Sequence, residues 1–433
     1  MPDPIVSIES VAPSLDPHAL IAESGLEFPT AGWADPTYSF PVQGWIVGKE
    51  HSATAVSVSD EYGPRLMMPV GVARPDVIEP DSRSGWPESC GFASRVNTIE
   101  LPQKFRVWLV ARFEDAEPAR LAVIDGTRNP LPVQTEARFQ PIMTTTLGRS
   151  GSTWLLSLLG HHPEITAFQP QTTEARAASY FADVLRTLSR PSSYISTLRG
   201  YVVGTREWMG ASSVRPLHEY ERDADLLEWM GKTHVDELIA FVAQRLDALY
   251  AQLSAKEGKE EATRFVEKCP PNGPQTMLSE IYPNAREILL IRDFRDYVCS
   301  VRSYRYGWKE TRARYSSDAE WVRDSLARQV QALRIYRRCR PDAMLLKYED
   351  LVTRTEETLD SVFAYLGVES GPAMVSSVLD RTEALSDQSI MRDHQTSGGS
   401  AESIGRWKRD LEPSLQKVCE EKFGGALREF GYA

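Results

Sequence analysis

Residues 142–163, IMTTTLGRSGSTWLLSLLGHHP, constrain this chain more than any other stretch. A run of apolar and β-branched residues ends at Leu147. The segment Gly148-Arg149-Ser150-Gly151-Ser152-Thr153 follows, and apolar residues at helical spacing begin at Trp154. The pattern predicts a strand, a tight loop and a helix. Glycine lets the backbone curl until successive N–H groups aim at one point. The open amides and the dipole of a helix start then favour an anion. Arg149 adds a charged fork, and Ser152 and Thr153 add hydroxyl donors. These residues read as a phosphate cradle. A nucleoside-triphosphate loop would carry G-x-x-x-x-G-K-[ST]. Here the cation precedes the second glycine and no lysine follows it, which argues against a kinase or ATPase.

The texture of the chain changes shortly before this loop. Residues 1–30 read as irregular, broken by Pro2, Pro4, Pro13 and Pro17. From about Trp33 to Leu131, short runs rich in Val, Ile, Phe, Tyr and Trp are separated by turn residues. Such a series predicts a β-sandwich. Beyond the linker LPVQTEARFQP, the short runs IMTTT, ITAF, RFVEK, REILLIR and AMLLKY alternate with helical patterns. The helical patterns cover Thr153–Leu159, Val235–Leu253, Ala319–Arg338, Thr355–Leu366 and Leu415–Phe430. That alternation implies a parallel sheet covered by helices. The expected organisation is an all-β accessory domain over residues 1–135 and an α/β domain over 136–433.

Charge narrows the class of ligand. The net charge is −11, which argues against a nucleic-acid binder. Between Arg292 and Arg340, however, 13 basic residues face six acidic ones. A basic island in an acidic chain points to one anionic ligand site, or to a solvated helix face of mixed charge. The five cysteines are scattered and show no C-x-x-C pair. They suggest free thiols in a reducing compartment rather than disulfides or a zinc site. No secretory signal and no membrane span of about 18 apolar residues is evident. A cytoplasmic protein with no metal ligand set is expected.

A second anion-binding element lies in REILLIRDFRDYVCSVRSY, residues 286–304. Arg292 ends a strand pattern, and Ser300 follows eight residues later near the first turns of a helix, so both can converge on one phosphate. Near the C-terminus, HQTSGGSAESIGRWKRDL, residues 394–411, has little side-chain bulk and could wrap a ligand closely. At this point the chain resembles the sulfotransferases that use 3′-phosphoadenosine 5′-phosphosulfate (PAPS). GRSGSTWL is similar to their 5′-phosphosulfate loop, although soluble members often carry lysine where this chain has Arg149. The Arg292–Ser300 pair resembles their 3′-phosphate motif, with Phe294 replacing a common proline. Gly405-Arg406-Trp407-Lys408 resembles their late Gly-x-Trp-Lys signature, and LLKYEDLV, residues 345–352, is also similar. In this last segment Tyr348, Glu349 and Asp350 read as fixing a strand-to-helix turn. The resemblance covers the second domain and leaves the first untouched.

The resemblance implies a P-loop-like sulfotransferase fold and transfer of a sulfuryl group from PAPS, with release of adenosine 3′,5′-bisphosphate (PAP). Its implied cofactor-binding residues are Arg149, Ser150, Gly151, Ser152, Thr153, Trp154, Arg292, Ser300, Gly405, Arg406, Trp407 and Lys408. Arg406 and Lys408 can also face outward, and Trp407 can serve as a packing anchor. Arg149 and Lys268 are the implied charge stabilisers. Lys268 lies in EKCPPN, which looks like the family's Glu-Lys-x-Pro segment, and it can equally be a salt-bridged structural lysine. Several glycan-directed and bacterial members take a glutamate after the loop helix as general base. Glu174 is the candidate here, with Glu164 a rival and His161 and His162 suited to the helix end. Gln169-Pro170 stands where Golgi glycan enzymes often show Glu-Pro, and glutamine cannot take a proton. The acceptor is a hydroxyl or amine of a glycan, glycolipid or small molecule. Trp208, Trp229, Tyr194, Tyr201 and Tyr220 are available for stacking. A non-catalytic binding protein is the rival reading, and intact Arg149, Arg292 and Ser300 argue against it.

Overall fold

A computed structural model describes residues 3–14, 19–78, 86–168, 176–189, 223–271, 273–304, 312–385 and 401–433. The chain divides into two compact units. The first comprises 1–133 with 181–242, and the second 134–180 with 243–433. The sequence pattern had suggested one cut, at 135/136. Residues 181–242 fall with the first unit.

Among the described residues, the first unit holds nine strands. They are β1 (Val6–Pro13), β2 (Ile21–Phe28), β3 (Ala34–Asp35), β4 (Ser39–Gly48), β5 (Ala53–Asp60), β6 (Gly63–Pro69), β7 (Gly91–Asn97), β8 (Lys104–Phe113) and β9 (Ala116–Arg128). One sheet runs β3-β1-β9-β8-β5-β6 and the other β2-β4-β7. Every pairing in them is antiparallel. Along β8 the burial alternates residue by residue, as expected where one face meets a core. Phe40 and Val42 from the small sheet share that core with Val56, Val107, Leu109 and Ile124 from the large one. The expected irregular N-terminus is corrected here, because β1 and β2 lie within it. Pro4 and Pro13 punctuate the ends of β1 rather than interrupt it. Val6 and Ile8 supply its inward face.

The second unit holds the predicted parallel sheet. Its strands are β10 (Gln140–Thr146), β11 (Ile165–Ala167), β12 (Arg264–Cys269), β13 (Arg286–Ile291) and β14 (Met344–Lys347), in the order β11-β12-β10-β13-β14. All four pairings are parallel. Every residue of β10 is buried, as a central strand covered on both faces must be. The helices Ser152–Gly160 and Thr355–Leu366 cover one face, with Leu155, Leu159, Val362 and Phe363 packed against Ile142 and Ile288. β10 has β12 on one side and β13 on the other, so the connections diverge at its carboxyl end. In open parallel sheets a crevice forms at such a point. No helix among the described residues is long and apolar enough to cross a membrane.

A buried ion pair anchors the sandwich. Arg95 and Asp35 are 7% and 4% exposed, and the Arg95 guanidinium donates to Asp35 and to Ser39 Oγ. The Thr37 hydroxyl donates to the same carboxylate at 2.7 Å. Removing one partner strands the other charge in the interior. Arg95→Ala should therefore lower stability by about 3–5 kcal/mol in denaturant unfolding.

Candidate active site

The loop after β10 is held in a shape that few residues adopt. Arg149 has φ 72° and Gly151 has φ 88°, both left-handed. For arginine this conformation costs about 1–3 kcal/mol and persists only where its surroundings impose it. Gly151 is required by space as well as by angle. A Cβ there would lie 2.3 Å from Cδ2 of Tyr348. Gly151 is also the N-cap of helix Ser152–Gly160, and no side chain caps that helix start. Its first amides are therefore left for another acceptor. Ser150 and Ser152 are buried, Thr153 is half-buried, and Trp154 packs against the apolar core.

Two arginines converge beside this loop, each lying on an aromatic ring. The Arg149 guanidinium sits 4.1 Å above the ring of Tyr304. Arg292 follows the end of β13 and sits 4.7 Å above the ring of Tyr348. Burial lowers the pKa of Arg149, and the Arg292 charge pushes the same way while Tyr304 and Tyr348 oppose. An anion between the two arginines would relieve that cost. Arg292 is 5% exposed and donates to the carbonyl of Ser403 at 2.6 Å, yet among the described residues its buried Nε has no hydrogen-bond partner. A buried donor left in this way is suited to a ligand oxygen. Ser300 is buried on helix Phe294–Ser303, which starts just after Arg292.

The remaining predicted residues are distributed unevenly around this centre. Lys268 is half-buried near the carboxyl end of β12, paired in register with Thr144 of β10. Gly405 has φ 68° and donates its N–H to Asp296. Arg406 is buried and ion-paired with Asp410 at 2.6 Å. Trp407 lies under the Arg295 guanidinium at 4.0 Å, and Lys408 is exposed. Glu174, Gln169 and Pro170 lie outside the described residues, as do Trp208, Tyr194, Tyr201 and Tyr220. The rivals to Glu174 have structural partners. Glu164 accepts the N–H of Glu369 at 2.6 Å. The His161 ring faces the carbonyl of Ser157 at 2.7 Å, and the His162 ring faces that of Glu369 at 3.0 Å. Burial lowers the pKa of both histidines.

Sequence reasoning missed how much Tyr348 does. Besides occupying the space beside Gly151 and lying under Arg292, its hydroxyl hydrogen-bonds Ser403 Oγ at 3.0 Å. Glu349 fits the turn-fixing role, accepting the N–H of Asp293 at 2.9 Å and the Tyr432 hydroxyl at 2.6 Å. Glu267 was also missed. It neighbours Lys268 on β12 but is 2% exposed, and burial pushes its carboxyl up to about 7. Its oxygens accept the Tyr250 hydroxyl and the backbone N–H groups of Ala177 and Ala178. Those two amides open the helix Ala177–Leu188, which begins three residues after Glu174.

Two predictions follow from these contacts. Gly151→Ala should cost about 1–3 kcal/mol in denaturant unfolding. In a Tyr348→Ala background the steric part of that penalty should disappear, leaving only the cost of the backbone angle. For Glu267, the folded carboxyl holds its proton to a higher pH than the unfolded one. The folded state thus binds more protons between about pH 4.5 and 7. The group's contribution to stability is complete below that window and is lost as pH rises through it, by up to about 3 kcal/mol. Glu267→Gln should flatten this part of the stability–pH curve, measured by unfolding at intervals from pH 4.5 to 8.

The comparison with known proteins agrees with this arrangement. The profile of the sulfotransferase family matches residues 141–372. Among solved structures, the sulfotransferase domain from the curacin biosynthetic pathway is 17% identical, over 68% of this chain and 98% of that one, with a TM-score of 0.37. Sulfotransferase STF9 from Mycobacterium avium is 13% identical, over 68% and 78%, with a TM-score of 0.36. Mouse sulfotransferase SULT7A1, complexed with PAP, is 11% identical, over 69% and 86%, with a TM-score of 0.34. No curated protein sequence matches the chain. These structural likenesses are slight, so the assignment rests on the profile, which spans more than half of the sequence and takes in both β10 with its loop and the Arg292 helix: the chain belongs to the sulfotransferase family.

Proposed function

We propose that this sulfotransferase moves a sulfuryl group from PAPS to a hydroxyl or amine of a glycan, glycolipid or small-molecule acceptor, releasing PAP. The observation that carries the reading is the buried Arg292 and the half-buried Arg149, set beside a helix start that no side chain among the described residues caps. The open Nε of Arg292 and the uncapped helix start after Gly151 fit a nucleotide with two separate phosphates. When bound, PAPS supplies an activated sulfuryl group whose leaving group is the 5′-phosphate of PAP.

The chain's residues divide the work. Arg149 and the amides of Gly151, Ser152 and Thr153 hold the 5′-phosphate, with Ser150 and Trp154 shaping the loop. Arg292 and Ser300 hold the 3′-phosphate, and the turn Gly405–Lys408 closes over that side. Catalysis of this kind is mostly positioning and charge stabilisation. Arg149 and Lys268 neutralise charge on the departing phosphate. The chain supplies these cations itself, so the proposed in-line transfer needs no metal ion. Glu174 takes the acceptor's proton, because an acceptor hydroxyl needs a base within hydrogen-bond reach. The glycan class is preferred by analogy alone, with the residue 1–135 region as an accessory domain of unassigned role. Among the described residues the cysteines form no disulfide, which supports a reducing, cytoplasmic setting. The net negative charge argues against nucleic acid as partner.

Calorimetric titration with PAP, ATP and 5′-AMP, without added metal, tests the donor. PAP should bind tightly, 5′-AMP weakly, and Arg292→Ala should abolish the difference between them. Arg149→Ala should lower the transfer rate roughly 10²–10³-fold. Equal binding of ATP and PAP, or no binding of PAP, would overturn the reading.

A further inference from the structure

Asp296 is a buried carboxylate that the proposed chemistry does not use. It is the third residue of helix Phe294–Ser303 and is 0% exposed. Ser300 lies four residues further along, so the two side chains share one helix face. A carboxylate next to a phosphate site is unfavourable for the phosphate. Burial also opposes its charge and raises its pKa, against the pull of the Trp407 and Gly405 amides and of Arg292. Its bonding explains why a charge is kept there. One oxygen accepts the N–H of Gly405 at 2.6 Å and the other the N–H of Trp407 at 2.9 Å. These two donors flank Arg406, at the left-handed turn that opens the short helix Trp407–Asp410.

The same turn is tied to the site at other points. The Arg292 guanidinium donates to the carbonyl of Ser403, and Tyr348 bonds the Ser403 hydroxyl. Arg406 reaches back to Ser303 Oγ at 3.3 Å, at the far end of the Asp296 helix. Arg295, next to Asp296, lies over the Trp407 ring and pairs with Asp293 at 2.7 Å. Strand-end arginine, helix and C-terminal turn thus form one bonded unit. Asp296 spends both of its oxygens on the turn's backbone.

We infer that Asp296 is a positioning residue: it moulds the Ser403–Trp407 turn around Arg292 and thereby sets affinity for the 3′-phosphate of the donor. The inference rests on the proposed use of PAPS. Asp296 touches neither the sulfuryl group nor the acceptor, so its effect falls on donor binding and not on the transfer step. Asparagine cannot replace it, because the amide NH₂ would face one of the two N–H donors and leave that donor unpaired.

The test combines three measurements on the full chain. In the wild-type protein without nucleotide, hydrogen exchange should find the Gly405 and Trp407 amides protected although they lie in a turn; rapid exchange at both would overturn the inference whatever the variants do. In Asp296→Asn, PAP affinity should fall roughly tenfold or more while 5′-AMP affinity stays within about twofold. With PAPS as substrate, KM should rise by a similar factor while kcat holds. An equal loss for PAP and 5′-AMP, or a fall in kcat at unchanged KM, would assign Asp296 to general stability or to chemistry and sink the proposal. Should Asp296→Asn fail to fold, the exchange result on the wild type still decides. Failure of the wild type to prefer PAP over 5′-AMP would instead remove the donor assignment itself.

Discussion

The parallel pairing of β10 between β12 and β13 is the constraint on which the site depends. A strand buried along its whole length can be placed in only one way, with both faces covered and its carboxyl end at the crevice. Once β10 is fixed, register brings the neighbouring strand ends to the same edge. Lys268 lies across from Thr144, Arg292 follows Ile291, and Tyr348 follows Lys347. Three residues from distant parts of the sequence thus come to the same sheet edge as the loop after β10.

What stands at that edge is a concentration of positive charge, and the fold stabilises it with aromatic rings. Arg149 lies on Tyr304 and Arg292 on Tyr348. A ring face attracts a guanidinium by about 0.5–2 kcal/mol, more when desolvated, without occupying its N–H groups. A carboxylate partner would bind more tightly but would neutralise the charge that an anion needs. The sandwich shows the other choice: Arg95 is matched by Asp35 and serves structure. The same contrast separates Arg406, paired with Asp410, from Arg292, whose Nε is left open.

How much of this could be read in the sequence follows from how local each signal is. β10, its glycine loop and the Arg292–Ser300 spacing are contiguous patterns, and the five parallel strands fall where the apolar runs put them, while the helices Gln275–Ile281 and Pro372–Leu385 were not foreseen. β1 and β2 were hidden because prolines at the strand ends resemble prolines that break strands. The grouping of 181–242 with the β-rich unit depends on tertiary contact and has no compositional mark. Tyr348 looked like part of a turn because its partners Gly151 and Ser403 are about 200 and 55 residues away. Glu267 followed the strand pattern, and only its burial against Tyr250 and a helix start distinguishes it from an ordinary strand glutamate.

The C-terminal Gly-x-Trp-Lys segment shows why a motif can be recognisable while its working atoms are not. Its charged side chains suggest direct contact with a phosphate, yet Arg406 turns to Asp410 and Ser303, and Lys408 is exposed. What the segment presents to Asp296 of the helix Phe294–Ser303 is backbone: the amides of Gly405 and Trp407. Glycine at 405 then follows from the left-handed angle that presents these amides together, since no neighbouring atom limits a side chain there. Tryptophan at 407 follows from the Arg295 guanidinium above it. The residue identities in this motif thus specify a backbone shape, and the shape is what faces the buried arginine.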